Sequence, residues 1–328
     1  MTRLRIGVLG AARIVPSALV KPAADIPDVV VAAIAARDPL RAREFARQHG
    51  IAAVYDTYQE VLDDPDIDAV YIPLPNSLHA PWMLKAIEAG KHILCEKPFT
   101  ANAAEARAVA AAAAGTGLVV MEAYHYRHHP LTARMLEICE SGELGAVQSV
   151  HVSMCFPLPK FGDIRYSYPL AGGALMDAGC YALHCLRLLG GATPEVTSAR
   201  AKRRGPDIDR AMTAELRFPS GATGHIDASL WSGRMLNIGA RVVGEQGELK
   251  VLNFIAPQVY HRLTVKTVST TRHERIRGES TYTYQLRAFA DAVLRGGPVL
   301  TPAEDSVAIM SLIDEVYRAA GMRLRGGS

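Results

Sequence analysis

The chain carries little net charge. Its 328 residues hold 36 Lys+Arg against 33 Asp+Glu, a formal net charge of +3. A protein that grips nucleic acid through its phosphates needs a larger, clustered basic excess, so no nucleic-acid partner is expected. Lysine is scarce: eight of the basic residues are Lys and the rest Arg, a bias that reads as composition rather than a phosphate-binding surface. Cysteine is scarce too. Cys95, Cys139, Cys155, Cys180 and Cys185 are odd in number, and no pair has CxxC spacing. A chain this long needs no disulfides, and reduced thiols suit a cytoplasmic setting. Long apolar runs are also missing. Ile6–Leu9, behind Met1–Arg5, is too short for the core of a secretory signal. The longest apolar stretch, Ala108–Met121, is broken by Gly115 and Gly117 and falls short of the roughly 20 residues of a membrane helix. A cytoplasmic protein with no membrane partner is therefore expected. There is no HExxH pattern and no matching Cys/carboxylate spacing, so no metal is expected either.

What is present is ordinary globular material, with 49% hydrophobic and 21% charged residues. The length suggests two domains or one large one. Residues 1–123 alternate β-rich runs (4–9, 29–36, 69–73, 92–95, 118–121) with helical ones (38–49, 79–89, 103–114). Parallel strands need crossover helices, and continuously apolar strands are covered on both faces. This predicts an N-terminal Rossmann domain over 1–123. Residues 124–328 read as an α+β substrate-binding and oligomerisation domain. It has a helix at 130–141, strands at 146–156, 196–203, 212–218, 222–231, 238–243 and 248–252, and a closing helix at 302–320. Its sheet is expected to be large, open and mostly antiparallel, and the overall class is α/β.

The first strand runs into Gly10-Ala11-Ala12-Arg13-Ile14, a reduced form of the G-x-G-x-x-G phosphate turn, with Ala12 and Val15 in place of the later glycines. The second strand ends at Arg37-Asp38. An acid at this place binds ribose hydroxyls and an arginine accommodates a 2′-phosphate, so Arg37 favours NADP, with NAD as the alternative. Asp38 has a competing use as the cap of the next helix, with Pro39 at its first position. Lys97, in Glu96-Lys97-Pro98, stands at the carboxyl end of a parallel strand, where sites on such sheets form. Glu96 is placed to orient it. Asp177 and Tyr181 are four apart, on one face of a helix entered through Gly172-Gly173. Hydride transfer at an alcohol carbon also moves a proton. Tyr181 is the first choice to move it, with Lys97 polarising the oxygen, or the roles exchanged. Asp177 binds a substrate hydroxyl or holds Lys97. Arg165, upstream, is a candidate substrate contact or a solvated loop charge. The His-rich run 122–130 reads as pocket lining or hinge packing.

These runs together resemble the Gfo/Idh/MocA oxidoreductases over nearly the whole chain. The resemblance rests on the Pro73-Leu74-Pro75-Asn76…His79 loop, the Gly90-Lys91-His92…Glu96-Lys97-Pro98 strand end and the Gly172–Tyr181 segment. Leu74 stands where the family pattern has Thr, and His184 where it often has Asp. Tyr181, in place of the usual His, points to the branch similar to dihydrodiol dehydrogenase, xylose dehydrogenase and glucose–fructose oxidoreductase. The resemblance implies pyridine-nucleotide redox chemistry on a polyhydroxy small molecule such as a sugar, ketosugar or vicinal diol. It also implies a homodimer or homotetramer built through the C-terminal sheet, and a Lys97–Pro98 bond that can be cis. Pro73, Leu74, Asn76, His79, Glu96, Lys97, His125 and Arg127 are the implied cofactor contacts beside the Gly10 turn, with Tyr124 a substrate neighbour. The alternative reading is a non-catalytic dinucleotide sensor on the same fold.

Overall fold

A computed structural model describes residues 3–233 and 236–326. The chain forms two compact units. One comprises Met1–Thr100, Ala104–His128 and Glu279–Val307; the other comprises Ala101–Ala103, His129–Gly278 and Ala308–Ser328.

The first unit is built on six strands: β1 (Leu4–Leu9), β2 (Val29–Ala35), β3 (Ala53–Tyr55), β4 (Ala69–Ile72), β5 (His92–Cys95) and β6 (Val120–Glu122). They pair in the order β3-β2-β1-β4-β5-β6, all parallel. The order reverses direction between β1 and β4, and ligands of doubly wound sheets bind at such a point, beyond the carboxyl ends of the strands. β1 and β4 are almost wholly buried, because helices cover both faces.

Sequence patterning missed three features here. β3 has only three half-buried residues, too few for a periodic signal. The helix Tyr58–Asp63 announces itself only by its capping box, in which the Thr57 hydroxyl accepts from the Glu60 N–H and the Glu60 carboxylate from Thr57. The helix Thr281–Arg295 is remote in sequence, yet Leu286, Phe289 and Ala290 join the core of this unit with Ile6, Val8 and Ala18. The single cut expected after Ala123 thus becomes an exchange of segments.

The second unit carries eight strands: β7 (Val147–Cys155), β8 (Glu195–Arg203), β9 (Asp209–Arg217), β10 (Thr223–Ser229), β11 (Asn237–Gly244), β12 (Gly247–Leu252), β13 (Arg262–Thr267) and β14 (Thr271–Glu274). Their order is β14-β13-β12-β11-β7-β10-β9-β8. Among the described residues of this sheet, only β7 and β10 pair in parallel. The last two strands, rich in Thr, Arg and Lys, lacked an apolar signal and were not expected. On β10, a Cβ at Gly224 would touch Leu186 of the helix Cys180–Gly190, and Gly179 lies against Ala228. Residues of that parity face the helices, so His225 and Asp227 face the other way.

Candidate active site

Gly10 ends β1 with φ +119, and a Cβ there would press on Leu74 Cδ2 at 3.1 Å. Glycine holds this turn because no other residue relaxes there. Val15, at the third fingerprint position, is fully buried in the core, so it packs helix against sheet and meets no ligand. Ala11 is buried, Ala12 and Ile14 are half-buried and Arg13 is exposed. The helix that follows opens with a π-type turn, Pro16–Val20.

At the end of β2, the two readings of Asp38 separate. Its Oδ1 accepts from the Leu40 and Arg41 N–H groups at 3.0 and 3.4 Å, so this acid caps the helix Pro39–His49. Arg37 beside it is exposed, and its backbone N–H binds the Tyr58 hydroxyl. Arg41 Nη2 donates to Ala11 O at 2.6 Å, which ties a second guanidinium to the phosphate turn. Ala11, Arg13, Arg41 and Phe45 line an open groove.

The ends of β4 and β5 hold Lys97. The Tyr71 hydroxyl donates to Glu96 Oε1 at 2.7 Å, fixing that carboxylate. The Lys97–Pro98 bond is cis, as the resemblance implied. His79, expected to touch the cofactor, is wholly buried instead. Its Nδ1 lies 2.8 Å from Pro98 O and its Nε2 2.8 Å from Leu74 O. Two carbonyl partners favour a doubly protonated ring, but burial, with the Lys97 charge, outweighs them and holds its pKa below the ordinary value. His79 therefore positions the Leu74 and Pro98 loops from beneath. Pro73 and Leu74 are buried and Asn76 is half-buried.

The run after β6 is also more buried than expected. Tyr124 is fully buried, its ring edge-on to Tyr126 and its hydroxyl bonded to the Glu122 carboxyl, so it is a support and offers substrate no surface. His125 Nδ1 bonds Thr281 Oγ1 at 2.8 Å, and burial, with the Lys97 charge, pushes its pKa down to about 3. Neutral His125 beside Lys97 adds no competing charge. Arg127 is half-buried.

Glu122 drew no role from the sequence, yet it is 1% exposed, and burial raises its pKa to about 8. Among the described residues its Oε1 has no hydrogen-bond partner. The fold therefore keeps a proton here that the unfolded chain releases near its ordinary carboxylate pKa, and stability falls as pH rises from there to about 8. Glu122→Gln is expected to flatten that slope, with a gain on the order of a few kcal/mol at pH 8 and none in acid. Chemical denaturation across pH checks this, and parallel slopes for the two proteins would refute it.

In the second unit, Asp177 lies in a π-type turn, Leu175–Gly179, that passes into the helix Cys180–Gly190 bearing Tyr181. Such turns cluster at functional sites. Arg165 Nε donates to Asp177 Oδ2 at 2.9 Å and Nη1 to Asp163 Oδ1 at 3.1 Å, so Arg165 is the carboxylate's holder. Tyr181 is 5% exposed.

The Gly172-Gly173 start of this segment rests on a buried cradle. Gly173 has φ +133, and a Cβ there would collide with Asp209 Oδ1, the Tyr317 hydroxyl and the Arg325 guanidinium. Arg325 donates to Gly172 O at 2.7 Å and to Asp209 Oδ1 at 2.8 Å; Asp209 Oδ2 accepts from the Leu175 N–H at 2.7 Å and Oδ1 from the Tyr317 hydroxyl at 3.0 Å. Asp209, Tyr317 and Arg325 were invisible to motif reading, since Asp209 and Arg325 are 116 residues apart.

Comparison with known proteins identifies the family. A family model described as an oxidoreductase family with an NAD-binding Rossmann fold matches residues 4–124, and a GFO/IDH/MocA C-terminal domain matches 132–250. The chain is 37% identical over 318 residues to a D-xylose 1-dehydrogenase (NADP(+)) of Haloferax volcanii, covering 97% of both chains. It is 35% identical over 332 residues to a dTDP-3,4-didehydro-2,6-dideoxy-alpha-D-glucose 3-reductase of Streptomyces violaceoruber, covering 97% of this chain and 95% of the relative. Among solved structures, a 3-ketoreductase from Actinomadura kijaniata in complex with NADP and TDP-benzene superposes with a TM-score of 0.90 at 30% identity, covering 97% of this chain and 98% of that one. Variants of that reductase with a lysine or a tyrosine replaced have also been solved.

Proposed function

The chain belongs to the Gfo/Idh/MocA family of oxidoreductases, and we propose that it transfers a hydride between NADP and a sugar, ketosugar or vicinal diol. The observation that carries the cofactor reading is local: the acid at the end of β2 caps a helix, while Arg37 stands exposed beside the Gly10 turn. A dinucleotide fits such a turn because no Cβ obstructs the pyrophosphate there, and Arg37, backed by Arg41, suits a 2′-phosphate. When bound, the nicotinamide supplies or accepts the hydride.

The chain's own residues handle the oxygen and the proton. Lys97 polarises the reacting oxygen, and the Tyr181 hydroxyl gives or takes the proton. Asp177 binds a neighbouring substrate hydroxyl, its carboxylate aimed by Arg165. A xylose dehydrogenase and a ketosugar reductase among the relatives support the substrate class. Cytoplasmic placement, consistent with five free cysteines, and assembly into a dimer or tetramer through the uncovered face of the eight-stranded sheet belong to the same proposal. Among the described residues, no helix is long and apolar enough to cross a membrane.

A panel of aldoses, ketosugars and diols, followed by NADPH absorbance, tests the substrate class; activity with none of them overturns it. Arg37→Ala is expected to weaken NADP binding roughly 10-fold or more and NAD binding little, as befits loss of one charged phosphate contact. Equal losses for both cofactors would remove the 2′-phosphate assignment.

A further inference from the structure

The face of the eight-stranded sheet turned away from the helix Cys180–Gly190 carries a cluster that the proposed reaction does not use. Parallel pairing of β7 with β10 sets His151 opposite His225 and Ser153 opposite Asp227, and β9 sets Glu215 opposite His225. Asp227 Oδ2 lies 3.0 Å from His151 Nε2 and 3.4 Å from His225 Nε2. The two rings are 4.5 Å apart, and the three donor atoms all lie within 4.8 Å of one another. The Asp227 side chain is 3% exposed, whereas those of His151 and His225 are 46% and 29% exposed. The carboxylate is thus a floor, with an imidazole on either side and solvent above.

Two details go beyond an ordinary surface ion pair. His225 Nδ1–H donates to Glu215 Oε1 at 2.6 Å, and Nε2 faces Asp227 Oδ2 at 3.4 Å. Such an approach of a ring nitrogen to a carboxylate oxygen is held by a shared proton or by a cation in its place. A carboxylate behind an imidazole is also the usual outer-shell support of a metal-binding histidine. Ser153 Oγ, 3.3 Å from His151 Nε2, adds an oxygen at the rim. Arg241, opposite His151, is paired with Glu248, while Arg200 and Lys202 line the same pocket as Asp227 on its other side.

We propose that His151, His225 and Asp227 form a binding site for a zinc-type divalent ion, with Glu215 orienting His225 and a fourth position open to water or to Ser153. Two imidazoles and one carboxylate are a donor set that suits zinc and its neighbours rather than calcium or magnesium. No local metal spacing announces this cluster in the sequence, since His151 and Asp227 are 76 residues apart.

The test is a titration of metal-free, full-length protein with Zn2+ in competition with a chromophoric chelator, repeated with Co2+ for its visible spectrum. One ion per chain is expected, with a four-coordinate Co2+ spectrum. His225→Ala and His151→Ala should each weaken binding roughly 10²-fold or more, and Glu215→Gln about 10-fold. Thermal unfolding of the metal-free variants establishes that they fold, since both imidazoles are partly exposed. Absence of stoichiometric binding, or Zn2+ affinity unchanged in folded His225→Ala and His151→Ala, would overturn the site. Neither readout depends on the oxidoreductase reaction.

Discussion

Lys97→Met is expected to lower turnover by roughly 10²-fold or more while NADP affinity changes only a few-fold. Met keeps the apolar stem of the half-buried Lys97 and removes only the ammonium, so the packing of the stem is preserved. The lost charge has a visible electrostatic reach, because it helps depress the pKa of both His79 and His125. In the proposed reading the cofactor's phosphates lie elsewhere, at the Gly10 turn and the Arg37 side of the sheet, which is why affinity and rate should separate. Steady-state kinetics with NADPH fluorescence titration checks both quantities. A fully active Lys97→Met would end the proposed role of the lysine. Equal collapse of affinity and rate would make it a cofactor anchor.

Arg325→Met should cost about 3–5 kcal/mol of stability, the penalty for leaving a buried carboxylate without its partner. Arg325 and Asp209 are both completely buried, and the pair closes on the Gly172 carbonyl and the Leu175 N–H. A loss of that size is a large fraction of the roughly 5–15 kcal/mol that hold a typical domain together. Tyr317→Phe removes one bond to the same carboxylate and should cost about 1–3 kcal/mol. Denaturant titration of the two variants ranks them, and a near-neutral Arg325→Met would show that Asp209 is satisfied without it. The consequence for the reaction follows from position. The cradle holds the start of the segment that carries Asp177 and Tyr181, so variants that still fold should lose kcat more than NADP affinity.

Local chemistry was legible in the residue order. β1 and β5 coincide with their apolar runs, and Asp38 caps its helix just before Pro39. Gly10 takes the left-handed conformation that its motif requires. Strand patterning carried the Rossmann assignment and the mostly antiparallel second sheet, and family motifs the oxidoreductase class; the structure and the comparisons agree with these. Signals failed where elements were short or polar, as in β3, β13 and β14.

Burial reversed several roles. His79 and Tyr124 looked like ligand contacts because polar residues in motifs usually face a site, yet packing closes over both and leaves them as supports. Glu122 became a neutral acid only because three-dimensional packing removed its water. Periodicity, caps and glycine turns depend on neighbours a few residues apart, so the sequence by itself determined most of the apolar elements, the Gly10 turn and the family. Charge pairing and desolvation depend on distant segments. Only the tertiary structure could bring Arg325 to Asp209, settle which acids and histidines are charged, and set His151, His225 and Asp227 around one point.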